Sequence, residues 1–97
     1  MKYRIERTTQ FKKDFKLAEK QGMDMTKLAD AVRILADGEM LPREYLDHEL
    51  QGKYKGYREC HIEPDWLLLY KITESVLVLS LVRTGSHSRL FRNYEFF

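Results

Sequence analysis

The order of apolar and polar residues at the start of the chain predicts a strand followed by an amphipathic helix. Apolar and charged positions alternate over residues 3–6, as they do in a short strand with one covered face. A hydroxyl at Thr8 or Thr9 can cap a helix that starts near Gln10 and ends at Gly22. Apolar side chains recur along one face of this helix: Phe11, Phe15 and Ala18.

A second amphipathic helix follows after only a few residues. Asp24 can cap its start, and Gly38 stops it. Its apolar residues again share one face: Met25, Leu28, Val32 and Leu35. Two such helices joined by a short loop form an antiparallel hairpin, and the apolar face of the hairpin must be covered by a sheet.

The second half of the chain supplies three strands for that sheet. We predict strands over residues 56–63, 66–72 and 76–83. Pro64 and Asp65 occupy the central positions of a turn between the first two strands. The middle strand is almost entirely apolar, which is typical of a central strand buried on both faces. Alternate leucines of the last strand are expected to face the helices: Leu77, Leu79 and Leu81.

The predicted fold is therefore a single α+β domain that spans residues 1–97. After the last strand, Ser86 can cap a short helical turn that runs through Phe91. The element order is β-α-α-β-β-β with this C-terminal turn, and the two N-terminal helices pack on one face of a curved, mainly antiparallel sheet. Residues 92–97 form a short tail extension, which either packs on the sheet, contacts a partner or stays partly ordered.

Composition limits the class of protein further. The chain has 97 residues, 43% of them apolar, and a net charge of +2, which fits one globular core without a disordered tract. The N-terminus lacks the apolar core of a signal peptide, and the longest apolar run, residues 66–70, is far too short to span a membrane. The only cysteine, Cys60, excludes an internal disulfide. We therefore expect a cytoplasmic protein with no membrane partner.

The three histidines of the chain are the first candidates for chemistry. His48 lies in the loop that enters the sheet, His61 on the polar face of a strand, and His87 in the loop after the last strand. A single histidine of this kind is usually an ordinary surface or hydrogen-bonded residue. Because all three fall on the open face or at the ends of one small sheet, the pattern favours a shared site.

Two groups of basic residues flank these histidines. The first contains Lys53, Lys55 and Arg58, and the second contains Arg83, Arg89 and Arg92. Basic groups are commonly just solvated surface, but two of them around candidate catalytic residues favour a polyanionic partner.

Imidazoles beside cations are suited to RNA cleavage by internal transesterification. Imidazole can act as the base that activates the 2′-hydroxyl or as the acid that protonates the departing 5′-oxygen. Arginine can stabilise the phosphorane, and an aromatic side chain such as Trp66 or Phe91 can stack on a base. A zinc site is disfavoured because the histidines show no tight H-x-x-x-H or C-x-x-C spacing. A cysteine nucleophile is disfavoured as well, because Cys60 lies on the core side of its strand, where a thiol is normally inert. We expect neither a metal nor another cofactor.

Two segments carry a resemblance to a known family. They are DHELQGKYKGYRECHIEPDWLLLYKI (residues 47–72) and RTGSHSRLF (residues 83–91), and they resemble the motifs of YafQ toxins in the RelE/ParE superfamily. The resemblance implies a RelE/ParE-like fold and a type II toxin that enters the A site of the 70S ribosome and cuts the mRNA there. It also implies a cognate antitoxin of the DinJ/RelB kind, through which the toxin meets operator DNA only indirectly.

The resemblance also implies a set of site residues. The implied catalytic residues are His48, His61, Asp65, His87 and Phe91. The implied substrate-contacting residues are Trp66, Arg83, Lys53, Lys55, Arg58 and Arg89. As a hypothesis on roles, His87 is the general acid, Asp65 with His48 or His61 forms the base side, Arg83 supports the phosphate and Phe91 orients the nucleotide.

Two alternatives remain open at the level of sequence. One is a ParE-like toxin that inhibits gyrase by binding, and the other is a non-catalytic binding module of the same fold. The full histidine set speaks against the gyrase inhibitor, because such a binder has no need for an acid–base constellation. His87→Ala separates the alternatives, since only a nuclease should lose toxicity while it keeps its fold and its antitoxin complex.

Overall fold

The computed structural model describes residues 1–91 as five strands and three helices. Their bounds are β1 (Arg4–Arg7), α1 (Thr9–Lys20), α2 (Met25–Ala36), β2 (His48–Glu49), β3 (Arg58–Glu63), β4 (Trp66–Thr73), β5 (Val78–Gly85) and α3 (His87–Phe91). The sheet has the order β1-β5-β4-β3-β2, in which β1 runs parallel to β5 and all other neighbours are antiparallel. The α+β class and the mainly antiparallel sheet are as predicted. The predicted tail, residues 92–97, lies outside the described residues.

Local sequence determines both long helices. The hydroxyl of Thr8 accepts a hydrogen bond from the Phe11 amide at 2.9 Å, which makes Thr8 rather than Thr9 the cap of α1. The carboxylate of Asp24 accepts from the Thr26 amide at 3.1 Å and caps α2, as predicted. Because each helix has one apolar face, the hairpin packs that face onto the sheet. The main core contains Phe11, Ala18, Leu28, Leu35, Cys60, Trp66, Leu68, Tyr70, Leu79 and Leu81.

The sheet differs from the prediction at its edges. The two-residue strand β2 was not predicted, and β3 begins at Arg58 instead of Gly56. The last strand begins at Val78, because a 3-10 turn over Glu74–Val76 precedes it and Leu77 takes a left-handed conformation with φ of 53°. The prediction that Leu77 faces the helices is therefore wrong, and its side chain is 46% exposed. Leu79 and Leu81 do lie in the main core.

A second, smaller core covers part of the opposite face of the sheet. Leu67 and Leu69 of β4 are packed there beneath Leu50 and Phe91. The central strand is therefore buried on both faces, as predicted. The segment before β3 and the helix α3 cover only part of this face, and the histidines lie on the same side of the sheet beside them. Among residues 1–91, no helix has the length and apolarity needed to cross a membrane.

Candidate active site

Three imidazoles converge on one buried carboxylate. Oε1 of Glu59 lies 3.5 Å from Nε2 of His61, 3.9 Å from Nε2 of His48 and 4.0 Å from Nε2 of His87. Glu59 is only 5% exposed, whereas His48 and His87 are half exposed. The structure thus brings together the three histidines that the sequence singled out, around a residue that sequence reasoning missed.

Strand pairing explains the convergence. Glu59 and His61 are two residues apart on β3 and therefore share the face that points away from the long helices. His48 of β2 is paired directly with Glu59 in the antiparallel register. His87 is the first residue of α3, which follows β5 at the same end of the sheet. The signal for Glu59 was present in the sequence, since an acidic residue two positions before His61 must share its face.

Backbone carbonyls determine where two of the imidazoles carry a proton. Nδ1 of His48 is 2.8 Å from the Leu46 carbonyl, and Nδ1 of His61 is 3.3 Å from the Pro64 carbonyl. A carbonyl oxygen can only accept, so Nδ1 is the donor in both rings. The Nε2 atoms of both rings are then directed at Glu59 and are available to take up a proton.

His87 is held differently, by Asp65. Oδ1 of Asp65 accepts a hydrogen bond from the His87 amide at 3.0 Å and lies 3.2 Å from Nδ1 of the imidazole. The backbone hydrogen bond, followed by the side-chain contact, holds the pKa of Asp65 below its usual range. The structure therefore places the Asp65 carboxylate on His87, and the hypothesis that Asp65 forms the base side with His48 or His61 stays a prediction.

The two aromatic residues expected at the site lie behind it. Trp66 is 2% exposed, and its indole nitrogen donates to the Thr84 hydroxyl at 2.9 Å. The expectation that Trp66 stacks on a base is wrong, because β4 directs this side chain into the main core. Phe91 is 6% exposed, and its ring centroid lies 6.0 Å from that of His87. It supports the His87 ring from below, and its role in orienting a nucleotide stays a prediction.

Three of the expected phosphate-binding arginines already have acidic partners. Arg58 binds Asp47 at 2.7 Å, while Arg83 and Arg89 both bind Asp14, at 2.7 and 3.0 Å. These guanidinium groups are compensated in the folded chain, which the charge pattern alone did not indicate. The remaining candidates, Lys53 and Lys55, are exposed beside the second core. Arg92 lies outside the described residues.

Comparison with known proteins identifies the family. A model described as "Bacterial toxin of type II toxin-antitoxin system, YafQ" matches residues 3–92. The chain belongs to the YafQ toxin family. It is 48% identical over 88 residues to the mRNA interferase toxin YafQ of Escherichia coli K12, and the match covers 90% of this chain and 94% of that one. The E. coli DinJ-YafQ complex matches with a TM-score of 0.85 and 47% identity, covering 92% of this chain and 98% of that chain. A metal-bound toxin from Helicobacter pylori matches with a TM-score of 0.87 and 45% identity, covering 94% and 100%.

Within this YafQ-family site, three residues also have the geometry of metal ligands. Glu59, His61 and His87 each offer one ligand atom, and these atoms all lie within 4.8 Å of one another. The spacing of the histidines along the sequence does not indicate this arrangement, because the donors come from β3 and α3 and not from one local motif. The thiol of Cys60 is buried and takes no part, and its pKa is raised by that burial.

Proposed function

We propose that this YafQ-family toxin is an endoribonuclease that cleaves mRNA in the ribosomal A site by acid–base transesterification. The observation that carries the proposal is the convergence of three Nε2 atoms within 3.5 to 4.0 Å of the Glu59 carboxylate. Imidazole is the side chain best suited to give and take protons near neutral pH. The E. coli relative, which is named an mRNA interferase, supports the same assignment.

The base of this reaction is Nε2 of His48 or of His61. Both rings keep their Nδ1 proton on a carbonyl, so the proton of the RNA 2′-hydroxyl can pass only to Nε2. As the proton leaves, the 2′-oxygen forms a bond to the adjacent phosphorus. The nearby Glu59 carboxylate stabilises the imidazolium that results. His61 is the more buried of the two rings, and the geometry leaves both in place as candidates.

The acid is His87. Asp65 orients this ring through Nδ1, which leaves Nε2 on the side of the other two imidazoles. Its proton passes to the 5′-oxygen as the bond from that oxygen to phosphorus breaks. The products are a 2′,3′-cyclic phosphate and a free 5′-hydroxyl. The proton of the 2′-hydroxyl ends on the base, and the proton of His87 ends on the 5′-oxygen. Because Arg83 and Arg89 are engaged by Asp14, we assign the positive charge beside the phosphate to the imidazolium ions, with Lys53 and Lys55 attracting the RNA.

We infer a cognate antitoxin of the DinJ kind as the protein partner. The E. coli relative was solved in complex with DinJ, and that toxin covers nearly the same residues as this chain. The antitoxin, and not the toxin, would contact operator DNA. The gyrase-inhibiting and non-catalytic alternatives lose support, because the family match is to YafQ and the acid–base set is complete.

Primer extension on a defined mRNA tests this function. The purified toxin is incubated with the mRNA with and without programmed ribosomes, and with EDTA in the reactions on free RNA. We expect cleavage within A-site codons only when ribosomes are present, and none from His87→Ala. Lys16→Ala, on the exposed face of α1, is the matched control and should cleave like the wild type. Absence of cleavage by folded, growth-arresting wild-type protein would overturn the proposal and favour the gyrase-inhibiting alternative.

We also infer that the same cluster can bind a transition-metal ion as an inhibitor. The donor set of two imidazoles and one carboxylate suits zinc, copper or nickel. The metal-bound H. pylori toxin supports this inference, since it shares the fold at 45% identity. Glu59, His61 and His87 would hold the ion, and the two imidazoles engaged in this way would no longer be available for proton transfer, so binding and catalysis would exclude each other.

A further inference from the structure

Among residues 1–91, a second buried carboxylate with several partners lies outside the catalytic cluster. Asp14 of α1 has a fully buried side chain. Four groups donate to it: Gln10 Nε2 at 3.1 Å, Arg83 Nε at 2.7 Å, the Thr84 amide at 3.2 Å and Arg89 Nη2 at 3.0 Å. Burial by itself raises the pKa of Asp14, but hydrogen bonds led by that from Arg83 outweigh it and hold the pKa below its usual range. The carboxylate is therefore ionised at neutral pH.

The partners of Asp14 lie on both sides of His87 in the chain. Thr84 precedes His87 by three residues at the end of β5, and Arg89 follows it by two in α3. One carboxylate on α1 thus binds both ends of the strand-to-helix corner that presents the general acid. The corner is also closely packed, because a Cβ added at Gly85 would lie 3.3 Å from Cδ of Arg89 and from Cδ2 of Leu90.

The corner needs such an anchor. The helix α3 has only five described residues, Leu90 closes a single turn onto the Ser86 carbonyl, and so short a helix is not stable by itself. Asp65 orients the His87 ring from the β3–β4 turn, but that carboxylate is largely exposed. Asp65 also accepts from the His87 amide, but the contacts of the corner with the buried interior are those that Thr84 and Arg89 make with Asp14.

We propose that Asp14 is a positioning residue for catalysis, which holds His87 in place through Arg89 and the Thr84 amide. This rests on the proposed function, in which His87 is the general acid. This role also explains why Arg83 and Arg89 are paired with an acid on α1, because the two arginines hold the strand-to-helix corner in place instead of binding phosphate. A displacement of ~1 Å in a reacting group can cost on the order of a hundredfold in rate.

The test is single-turnover cleavage on programmed ribosomes by Asp14→Asn, which keeps the shape but removes the charge. We expect the maximal rate constant to fall by about 10- to 100-fold, with little change in the toxin concentration that gives half the maximal rate. Asp30→Asn, which breaks the exposed pair between Asp30 and Arg33, is the matched control and should behave like the wild type. A wild-type maximal rate in Asp14→Asn would overturn the proposal. Tighter ribosome binding by Asp14→Asn at an unchanged maximal rate would also overturn it, because Asp14 would then be preventing the arginines from binding phosphate.

A double-mutant cycle with Arg89→Gln tests the route of the effect. If Asp14 acts through Arg89, each single variant slows cleavage and the double variant is no slower than Asp14→Asn, whereas additive losses contradict that route. Arg89→Gln also serves if Asp14→Asn fails to fold, because Asp14 keeps Arg83 and Thr84 in that variant. It should then lose maximal rate while keeping the thermal midpoint of the wild type.

An NMR measurement separates this proposal from the proposed function. The imidazole resonances of His87, assigned by comparison with His87→Gln, should move in Asp14→Asn, while those of His48 should not. This readout does not depend on cleavage. A wild-type toxin that cleaves no RNA would overturn the proposed function, whereas unmoved His87 resonances would overturn the positioning role of Asp14.

Discussion

Oε1 of Glu59 and Nε2 of His61 lie 3.5 Å apart on the same face of β3. A carboxylate that is 5% exposed is costly to bury unless cations or hydrogen bonds compensate it. Here the candidate partners are three imidazoles, contributed by β2, β3 and α3. The same carboxylate therefore holds together three imidazoles that come from three different elements of the fold.

Replacing Glu59 should slow cleavage. Across ~4 Å, the attraction between a carboxylate and an imidazolium is worth ~1–4 kcal/mol, depending on the local dielectric. Because Glu59→Gln removes this attraction from the histidine cluster, we expect the maximal rate of single-turnover cleavage to fall by about tenfold or more. Glu63→Gln, on the same strand but paired with Lys27, is the control and should cleave like the wild type. A wild-type rate in Glu59→Gln would show that this carboxylate is not needed for cleavage.

The ion pairs of Asp14 should make stability depend on pH below about 4. The folded-state pKa of Asp14 is lower than its ordinary value of 3.8, so the unfolded chain binds the proton first as the pH falls. The stability from this group is complete above the unfolded pKa and is lost as the pH falls through the folded one. Urea unfolding at pH values above and below this range should show that Asp14→Asn loses less of its free energy of unfolding on acidification than the wild type does. Equal slopes would mean that the pairs do not stabilise the fold.

Trp66 should matter for stability and not for RNA binding. Trp66→Phe removes the indole N–H that donates to Thr84, whose hydroxyl still donates to the Leu67 carbonyl. We expect a loss of ~1–3 kcal/mol in the free energy of unfolding, because a buried acceptor loses its donor and volume is lost. Cleavage kinetics, measured where both proteins are folded, should be unchanged. If Trp66→Phe kept wild-type stability but required a higher toxin concentration for half the maximal rate, the indole ring would instead be stacking on a base.

Transition metals should inhibit the toxin through a defined subset of its histidines. Titration calorimetry at neutral pH should show Zn²⁺ or Cu²⁺ binding and no comparable Mg²⁺ binding, because imidazole ligands suit zinc and copper whereas magnesium prefers oxygen ligands. His61→Gln should abolish the binding, while His48→Gln, which lies outside the three-residue cluster, should retain it. EDTA should restore the cleavage activity of the metal-treated toxin. Metal-stimulated cleavage would contradict an inhibitory role.

The helices could be predicted from sequence because their determinants are local. The caps at Thr8 and Asp24 and the apolar faces of α1 and α2 lie within a few residues of one another. The strand β4 could be predicted as well, because an apolar run of its length is typical of a central strand. In contrast, the two-residue strand β2 exists only by pairing with β3 and has no pattern of its own.

The three histidines and Asp65 could be named from the sequence, but the burial of Glu59 and Asp14 could not be predicted. The imidazoles are distinctive residue types, whereas Glu59 and Asp14 resemble ordinary surface acids until the fold buries them. Asp14 meets Arg83 across 69 residues of chain, and no spacing in the sequence indicates that contact. The charge pattern groups Arg83 with Arg89 but does not indicate the acid that both of them bind.

If the histidine cluster cleaves RNA by transesterification, the nucleophile is the 2′-hydroxyl of the RNA itself. The most direct test is an A-site mRNA with a single 2′-deoxynucleotide on the 5′ side of the scissile phosphate, bound to ribosomes and treated with toxin and EDTA. We expect mass spectrometry to detect a 2′,3′-cyclic phosphate and a 5′-hydroxyl from the all-ribose control, and we expect no cleavage of the deoxy substrate at that position. Cleavage of the deoxy substrate, or a 3′-hydroxyl product from the control, would contradict this mechanism.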